Sequence, residues 1–393
     1  MDRKIKVCEV IASLSINSGG TASFISDLSM YLGDPAFEFQ LLTASMPNVE
    51  NLSIYQSLSV NALPARSGLL GQAIRPGAAT ALTEMSEADG LNIVHQHGVW
   101  LDIFRDTAKW TRRANVDLIV SPHGMLEPWA LNHKKWKKKL AWTLYQKNDL
   151  QHAKAFHACS EQEAQNIRKL GFKQPIAVIP NGVELPEFPS TTGCEGSKVG
   201  KLKGEKKTAL FLSRISSKKG LPMLLDAWKK LAPEGWQLVI AGNDYDGYLS
   251  VIERKIRELE LSEVCKLVGP LFGEAKEAAF RNADLFVLPS YSENFGIVIT
   301  EALGYQLPVL TTTGCPWQEL ETEQCGWWVE PTPTGIENGL KAALATSDEQ
   351  CREMGQRGRS LVERNYLWPA IAEKFRVFYT WISDGGERPD FVV

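Results

Sequence analysis

The sequence predicts an α/β protein built from two doubly wound, Rossmann-like domains facing each other across a cleft. Three observations carry that expectation. The chain has 393 residues, room for two to three domains of about 150 residues each. Hydrophobic residues make up 44% and charged residues 23%, a globular balance that excludes disorder, coiled coil and collagen-like repeats. Short apolar runs alternate with helical spacing along most of the chain, as parallel strands joined by crossover helices require.

The first run, Ile5–Leu14, is closed by Ser18-Gly19-Gly20 and followed by a helical stretch through Leu32. Phe39–Thr43, Ile93–Gln96, Leu118–Ser121, Ala155–Ala158 and Ile176–Ile179 read as further strands. Helical spacing separates them, for example at Thr80–Glu87 and Glu161–Leu170. Residues 1–182 thus form the N-terminal domain. Pro180-Asn-Gly-Val-Glu-Leu-Pro then opens a polar, Gly- and Lys-rich stretch, and 183–207 reads as the linker.

A second alternation fills 208–365. Strands at Ala209–Ser213, Gln237–Ala241, Cys265–Val268, Leu285–Pro289 and Pro308–Thr312 precede helical patterns, the last of them Gly335–Ala345. The two halves match in size and architecture but show no residue-level repeat. Between Glu363 and Ile382, Ile371, Phe375, Phe378 and Trp381 fall at helical spacing. Residues 366–393 are expected to form a terminal helix that packs back toward the N-terminal domain.

Charge and cysteine usage narrow the function classes. Lys plus Arg total 43 against 46 Asp plus Glu, a formal charge of −3, so no nucleic-acid partner is expected. The seven cysteines are scattered, odd in number and form no C-x-x-C pair, which argues against a disulfide framework or structural zinc. The N-terminal apolar run is too short for a signal segment, and no window approaches 18 apolar residues. A cytoplasmic location follows from this reading, peripheral at the inner membrane face if the lysine run described below touches lipid.

Sheets of this kind bind ligands at the carboxyl ends of their strands, beside helix N-termini. The densest constellation there is Pro289-Ser-Tyr-Ser-Glu293-Asn-Phe-Gly296-Ile-Val-Ile-Thr-Glu301. Gly296 lets backbone approach a ligand, and the free N–H groups of the following helix start favour an anion. Two carboxylates bracketing an anion-binding turn suit a ligand with hydroxyls at both ends and phosphate between, such as a nucleotide-sugar. The competing reading is two solvated helix-start carboxylates. A second group, Arg214-Ile-Ser-Ser-Lys218-Lys219-Gly220, follows the first strand of the second domain and offers counter-charge to a diphosphate, or merely a basic loop facing water.

Taken together, these residues resemble the retaining glycosyltransferases of family four, the group 1 glycosyl transferases, which have the GT-B fold. Arg214, Lys219-Gly220, Glu293 and Glu301 fall in family order, as do Ser18-Gly19-Gly20, His123 in Ser-Pro-His-Gly, Ile179-Pro-Asn-Gly-Val183 and Val268-Gly269. The resemblance implies transfer of a sugar from a nucleoside-diphosphate donor to an acceptor hydroxyl with retained configuration, in surface polysaccharide or glycolipid synthesis. It implies catalytic roles for His123 at the sugar's reacting face, for Glu293 on donor hydroxyls, and for Arg214 and Lys219 on the leaving diphosphate. Donor binding would also involve Gly19, Gly20, Gly269, Asn294, Phe295, Gly296 and, at the ribose, Glu301. No cofactor and no metal are expected, the nucleotide-sugar being a co-substrate. A sugar-nucleotide epimerase of the same fold, working without an acceptor, is the alternative.

Three further signals stand in the sequence. His95 and His97 alternate on one strand, but no third metal ligand with sensible spacing stands beside them, so His97 and Trp100 read as acceptor-side residues and His95 as that or a structural histidine. Asp244-Tyr-Asp246 matches a short metal-binding pattern, yet Gly242-Asn243-Asp244 reads as a turn. Five lysines fall within Lys134–Lys139, interleaved with Trp129, Trp136, Trp142 and Tyr145. Such a segment suits an anionic membrane surface carrying a lipid-linked acceptor, a solvated face over core tryptophans, or a grip on an acceptor phosphate.

Overall fold

A computed structural model of the chain describes residues 4–14, 20–44, 59–63, 77–133, 135–187 and 206–393. It divides into two compact units, one of Met1–Gly182 with Trp368–Val393, the other of Val183–Leu367. Gly19, Lys134 and linker residues 188–205 lie outside the described residues.

In the first unit, β1 (Ile5–Ile11) is followed by α1 (Gly20–Tyr31), β2 (Phe37–Thr43), β3 (Ser59–Ala62), α2 (Ala78–Asp89) and β4 (Ile93–His97). Then come α3 (Asp102–Ala114), β5 (Asp117–Ser121), α4 (Pro128–Asn132), α5 (Lys135–Ala141), a π-helical turn (Trp142–Gln146) and α6 (Lys147–Gln151). The unit continues with β6 (Ala155–Ala158), α7 (Glu161–Lys169) and β7 (Ile176–Val178). The strands form one parallel sheet in the order β3-β2-β1-β4-β5-β6-β7. Both faces are covered, so even the polar residues of β4 (Ile-Val-His-Gln-His) and Glu9 of β1 are buried.

Side chains alternate across this sheet. Val7, Ile93 and Ile119 pack against Phe24 and Leu28 of α1 and a terminal helix, while Cys8, Val94 and Leu118 face Leu82, Phe104 and Trp110. By the same period of two, Glu9, His95, His97, Ser121 and His157 point to the first of these faces, under α1.

In the second unit, β8 (Lys207–Leu212), α8 (Leu221–Leu231), β9 (Trp236–Ala241), α9 (Leu249–Glu258), β10 (Cys265–Gly269) and α10 (Gly273–Asn282) form one half. The other half is β11 (Leu285–Leu288), α11 (Ile297–Gly304), β12 (Val309–Thr312), α12 (Glu319–Thr322), β13 (Gly326–Val329), α13 (Pro333–Ala345) and α14 (Asp348–Asn365). Its parallel sheet runs β10-β9-β8-β11-β12-β13. Strand order reverses between β8 and β11, so the loops leaving these two strands diverge and leave a crevice there. Both glycine- and charge-rich motifs of this half sit in those two loops.

The two doubly wound sheets match the predicted fold class. Strands β3 and β13 are additions, being short and, in β13, opened by Gly326. The helical spacing noted from Glu363 is shared by two helices, the second of them inside the 366–393 segment. Residues through Asn365 complete α14, and α15 (Trp368–Asp384) begins after a break at Tyr366 and Leu367. Pro369 explains the restart, because proline fits the first turn of a helix but not its interior. Helix α15 belongs to the first unit, where Phe375, Phe378 and Tyr379 are fully buried.

Candidate active site

In the second unit, Lys219 closes a single 3-10 turn (Ser217–Lys219) after β8, and Gly220 follows at φ +67°. A Cβ on Gly220 would lie 2.0 Å from the Pro289 carbonyl, so only glycine lets this loop press against the end of β11. That contact brings Lys219 to Glu293. Lys219 Nζ donates to Glu293 Oε1 at 2.6 Å, and the Ser290 hydroxyl donates to the same oxygen at 2.6 Å. The Glu293 amide is fixed by the Gly314 carbonyl at 2.8 Å.

Burial alone would raise the Glu293 carboxyl. The charges of Lys219 and Lys218, with the hydrogen bonds from Lys219 and Ser290, outweigh it and hold the group below its ordinary range. The Glu293 carboxyl is therefore ionised at neutral pH. A buried ion pair contributes little net stability but is costly to break on one side.

Beside the pair, Gly296 adopts a left-handed conformation (φ +84°) and starts α11. Phe295 is buried against Trp317 and Tyr366, and its carbonyl accepts from Trp317 Nε1 at 2.6 Å, which anchors the turn. Asn294 lies between these fixed points. Glu301, on α11, receives Lys276 Nζ at 2.5 Å, a partner that spacing did not suggest. Arg214 is exposed and lies over the Tyr245 ring at 5.0 Å, so it stands free of the Lys219–Glu293 pair. Gly269 ends β10 at φ +73°, and its carbonyl accepts from the Gly242 amide at 2.8 Å. Asp244 Oδ1 caps the Leu249 amide at 2.9 Å, the turn role weighed above for this segment.

In the first unit, the polar residues on the α1 face form one buried network. Glu9 Oε2 lies 2.6 Å from His97 Nε2, and Glu9 Oε1 2.8 Å from the Tyr379 hydroxyl. His97 Nδ1 meets His123 Nε2 at 2.9 Å. The Tyr379 hydroxyl also meets His95 Nδ1 at 2.8 Å, and His95 Nε2 meets the Ser121 hydroxyl at 2.6 Å. That hydroxyl reaches His157 Nδ1 at 2.6 Å, and His157 Nε2 donates to the Ile179 carbonyl at 2.8 Å. Burial holds His95, His97 and His123 well below the ordinary histidine value and lowers His157 to about 4, so the rings are neutral.

Comparison with known proteins identifies the family. Residues 195–361 match the family described as glycosyl transferases group 1, and residues 19–182 match the glycosyl transferase 4-like domain. The chain belongs to the group 1 glycosyl transferases. It is 28% identical over 276 residues to the GDP-mannose:cellobiosyl-diphosphopolyprenol alpha-mannosyltransferase of Xanthomonas campestris, covering 69% of this chain and 67% of that one. Matches to three further curated relatives span 47% to 64% of their length. Sucrose-phosphate synthase of Thermosynechococcus elongatus superposes with a TM-score of 0.76 at 19% identity, over 96% of this chain and 99% of that one. Anabaena HepE in complex with UDP and glucose gives 0.75 at 18% identity, over 96% and 99%.

Several details of this group 1 glycosyl transferase were not legible from spacing. Glu9 supplies the third group missing beside His95 and His97, with one potential ligand atom from each within 4.8 Å. Its strand is distant in sequence, and only the parallel pairing of β1 with β4 sets Glu9 opposite His95. A carboxylate inside the apolar run Val7–Ile11 was the available signal. Each of these atoms is engaged by a hydrogen bond within the unit. His97 stands in the core with both ring nitrogens bonded. Trp100 is half-buried, its ring 6.1 Å from Trp142 and its Nε1 donating to Met125 at 3.3 Å. Gly20 is the exposed first residue of α1.

The basic segment splits its aromatic residues between the interior and the surface. Trp142 packs on Phe172, and Tyr145 receives Arg105 over its ring at 4.5 Å. The most exposed apolar residues of the segment are Trp136, Leu140 and Leu144, at 70%, 56% and 69%, with Trp129 less so. Steps of four place them along one helical face. Lys135, Lys137 and Lys139 are exposed around that ridge, whereas Lys138 folds back to donate to the Ala130 carbonyl at 2.5 Å.

Proposed function

We propose that the protein transfers a sugar from a nucleoside-diphosphate sugar to an acceptor hydroxyl with retention of anomeric configuration and without a metal. The Lys219–Glu293 pair at the reversal point of the second sheet carries this reading. Glu293, kept ionised, accepts from donor sugar hydroxyls. Lys219 and Arg214, with the amides at 295–296, receive the charge that develops as the diphosphate leaves. Glu301 accepts from the ribose once Lys276 gives way. The departing phosphate takes the acceptor's proton on the same face, so configuration is kept. Relatives carrying transferase names favour an acceptor over the epimerase alternative.

The acceptor is read as a lipid-linked saccharide. A ridge of Trp136, Leu140 and Leu144 flanked by lysines suits an anionic bilayer surface, with apolar groups entering the interface and lysines meeting headgroups. Among the described residues no helix is long and apolar enough to cross a membrane, and the ridge offers peripheral contact instead. The deciding experiment is a thermal-shift screen of UDP- and GDP-sugars on the wild-type protein and on Lys219→Met/Glu293→Leu. Stabilisation of the wild type alone supports the reading. A donor that stabilises both equally overturns it.

A further inference from the structure

The buried network of the first unit admits one proton assignment in which every member is neutral and satisfied. The Ile179 carbonyl only accepts, so His157 donates from Nε2 and leaves Nδ1 to accept from the Ser121 hydroxyl. Ser121 then accepts from His95 Nε2, and His95 Nδ1 accepts from the Tyr379 hydroxyl. With that hydrogen used, the 2.8 Å contact between Tyr379 and Glu9 Oε1 takes its hydrogen from Glu9. Glu9 is then a carboxylic acid whose other oxygen accepts from His97 Nε2. His97 Nδ1 in turn accepts from His123 Nε2.

Shifting the shared proton from Glu9 through Tyr379 to His95 converts the neutral set into an ion pair. The branch through His97 is unaffected, because a carboxylate oxygen also accepts. The state of His123 is the same in both arrangements.

We infer that Glu9 and His97 are positioning residues that hold His123 as a neutral imidazole, with its proton on Nε2 and Nδ1 bare, at the reacting face. The inference rests on the role that the family resemblance implies for His123, at the sugar's reacting face, and adds what sets its protonation. Burial pushes Glu9 upward and His97 and His123 downward, in the same sense as the neutral assignment. His123 sits at φ +50°, and the next amide, Gly124, donates to Glu163 at 2.7 Å, so backbone and ring are both constrained. Cys159 Sγ lies 3.8 Å from His123 Nδ1.

Charge explains the use of such a device. Glycosyl transfer passes through a sugar with cationic character at its anomeric carbon. An imidazolium there would oppose that charge, whereas a neutral ring of fixed orientation does not. Protonating His123 would also place a cation beside the buried His97 ring.

The chain has six histidines, so nitrogen-15 labelling of histidine resolves each ring by long-range proton–nitrogen spectra. In the wild type near neutral pH, His123 should show a protonated Nε2 and an unprotonated Nδ1. Glu9→Leu and His97→Phe should mix the His123 tautomers and lower kcat about tenfold with the donor KM unchanged. Glu9→Gln, whose amide donates toward Tyr379 and accepts from His97, should restore what Glu9→Leu loses. A wild-type His123 that is cationic or carries its proton on Nδ1 overturns the inference. So does Glu9→Leu with an unaltered His123 spectrum and kcat. If the apolar variants fail to fold, the wild-type and Glu9→Gln spectra decide alone. A fully active His123→Ala with the expected spectra would refute the role of His123 while leaving the proton assignment standing.

Discussion

Lys219 Nζ lies 2.6 Å from Glu293 Oε1, and both side chains are about nine-tenths buried. The two residues are 74 positions apart and come from loops after adjacent strands. Removing either alone strands the other charge in the core. Lys219→Ala or Glu293→Ala should therefore lower stability by about 3–5 kcal/mol, while Lys219→Met/Glu293→Leu recovers most of it. Urea denaturation of the three variants checks this. Additive losses in the double variant would show that the pair is not coupled.

The same pair predicts an acid limit. The folded pKa of Glu293 is depressed, so its stabilisation is complete above the unfolded value, about 4.3, and is lost as pH falls through the folded one. Melting temperatures from pH 7 to about 3 should fall less steeply for Glu293→Gln than for the wild type. Parallel curves would contradict the ionised, paired carboxylate.

Gly220→Ala should disrupt this site through its backbone. Alanine would meet the Pro289 carbonyl and take an unfavourable φ, a cost of about 1–3 kcal/mol before any loop shift. Donor-induced thermal stabilisation should disappear with it. A variant that binds donor as the wild type does would show that Lys219 is placed by other means.

In the proposed mechanism Lys219 and Arg214 supply the positive charge at the diphosphate, so transfer should proceed in the presence of a metal chelator. A radiolabelled-donor assay with and without chelator reads this directly. Abolished transfer, restored by added divalent ion, would return attention to a metal-assisted mechanism.

Sedimentation with anionic vesicles should weaken at least about tenfold when Trp136, Leu140 and Leu144 become serine, and again when Lys135, Lys137 and Lys139 become glutamate. Only the lysine contribution should fade with added salt, since exposed charge is screened over about 8 Å at physiological ionic strength. Unchanged sedimentation in the ridge variant would confine the segment to a solvent-facing role.

Fold class was legible because it depends on local signals. Apolar runs such as Leu285–Leu288 and Leu118–Val120, set between helical patterns, demand strands buried on both faces. Gly296 likewise announced the helix start it makes for α11, since a helix start and its glycine are close in sequence. The basic segment left alternatives that only packing could separate. Trp142 and Trp136 look alike in the sequence, yet packing on Phe172 takes one inward and leaves the other in solvent.

By itself, then, the order of residues determined two parallel sheets and the loops that carry their charged groups, because strand burial and helix starts are decided within a few residues. Only the tertiary structure decided which charges meet. Glu9 reaches His97, Lys219 reaches Glu293 and Lys276 reaches Glu301 through strand neighbours and loop contacts that are remote along the chain. Burial then fixed what each pair does, since a charge removed from water must find its partner wherever the fold has placed it.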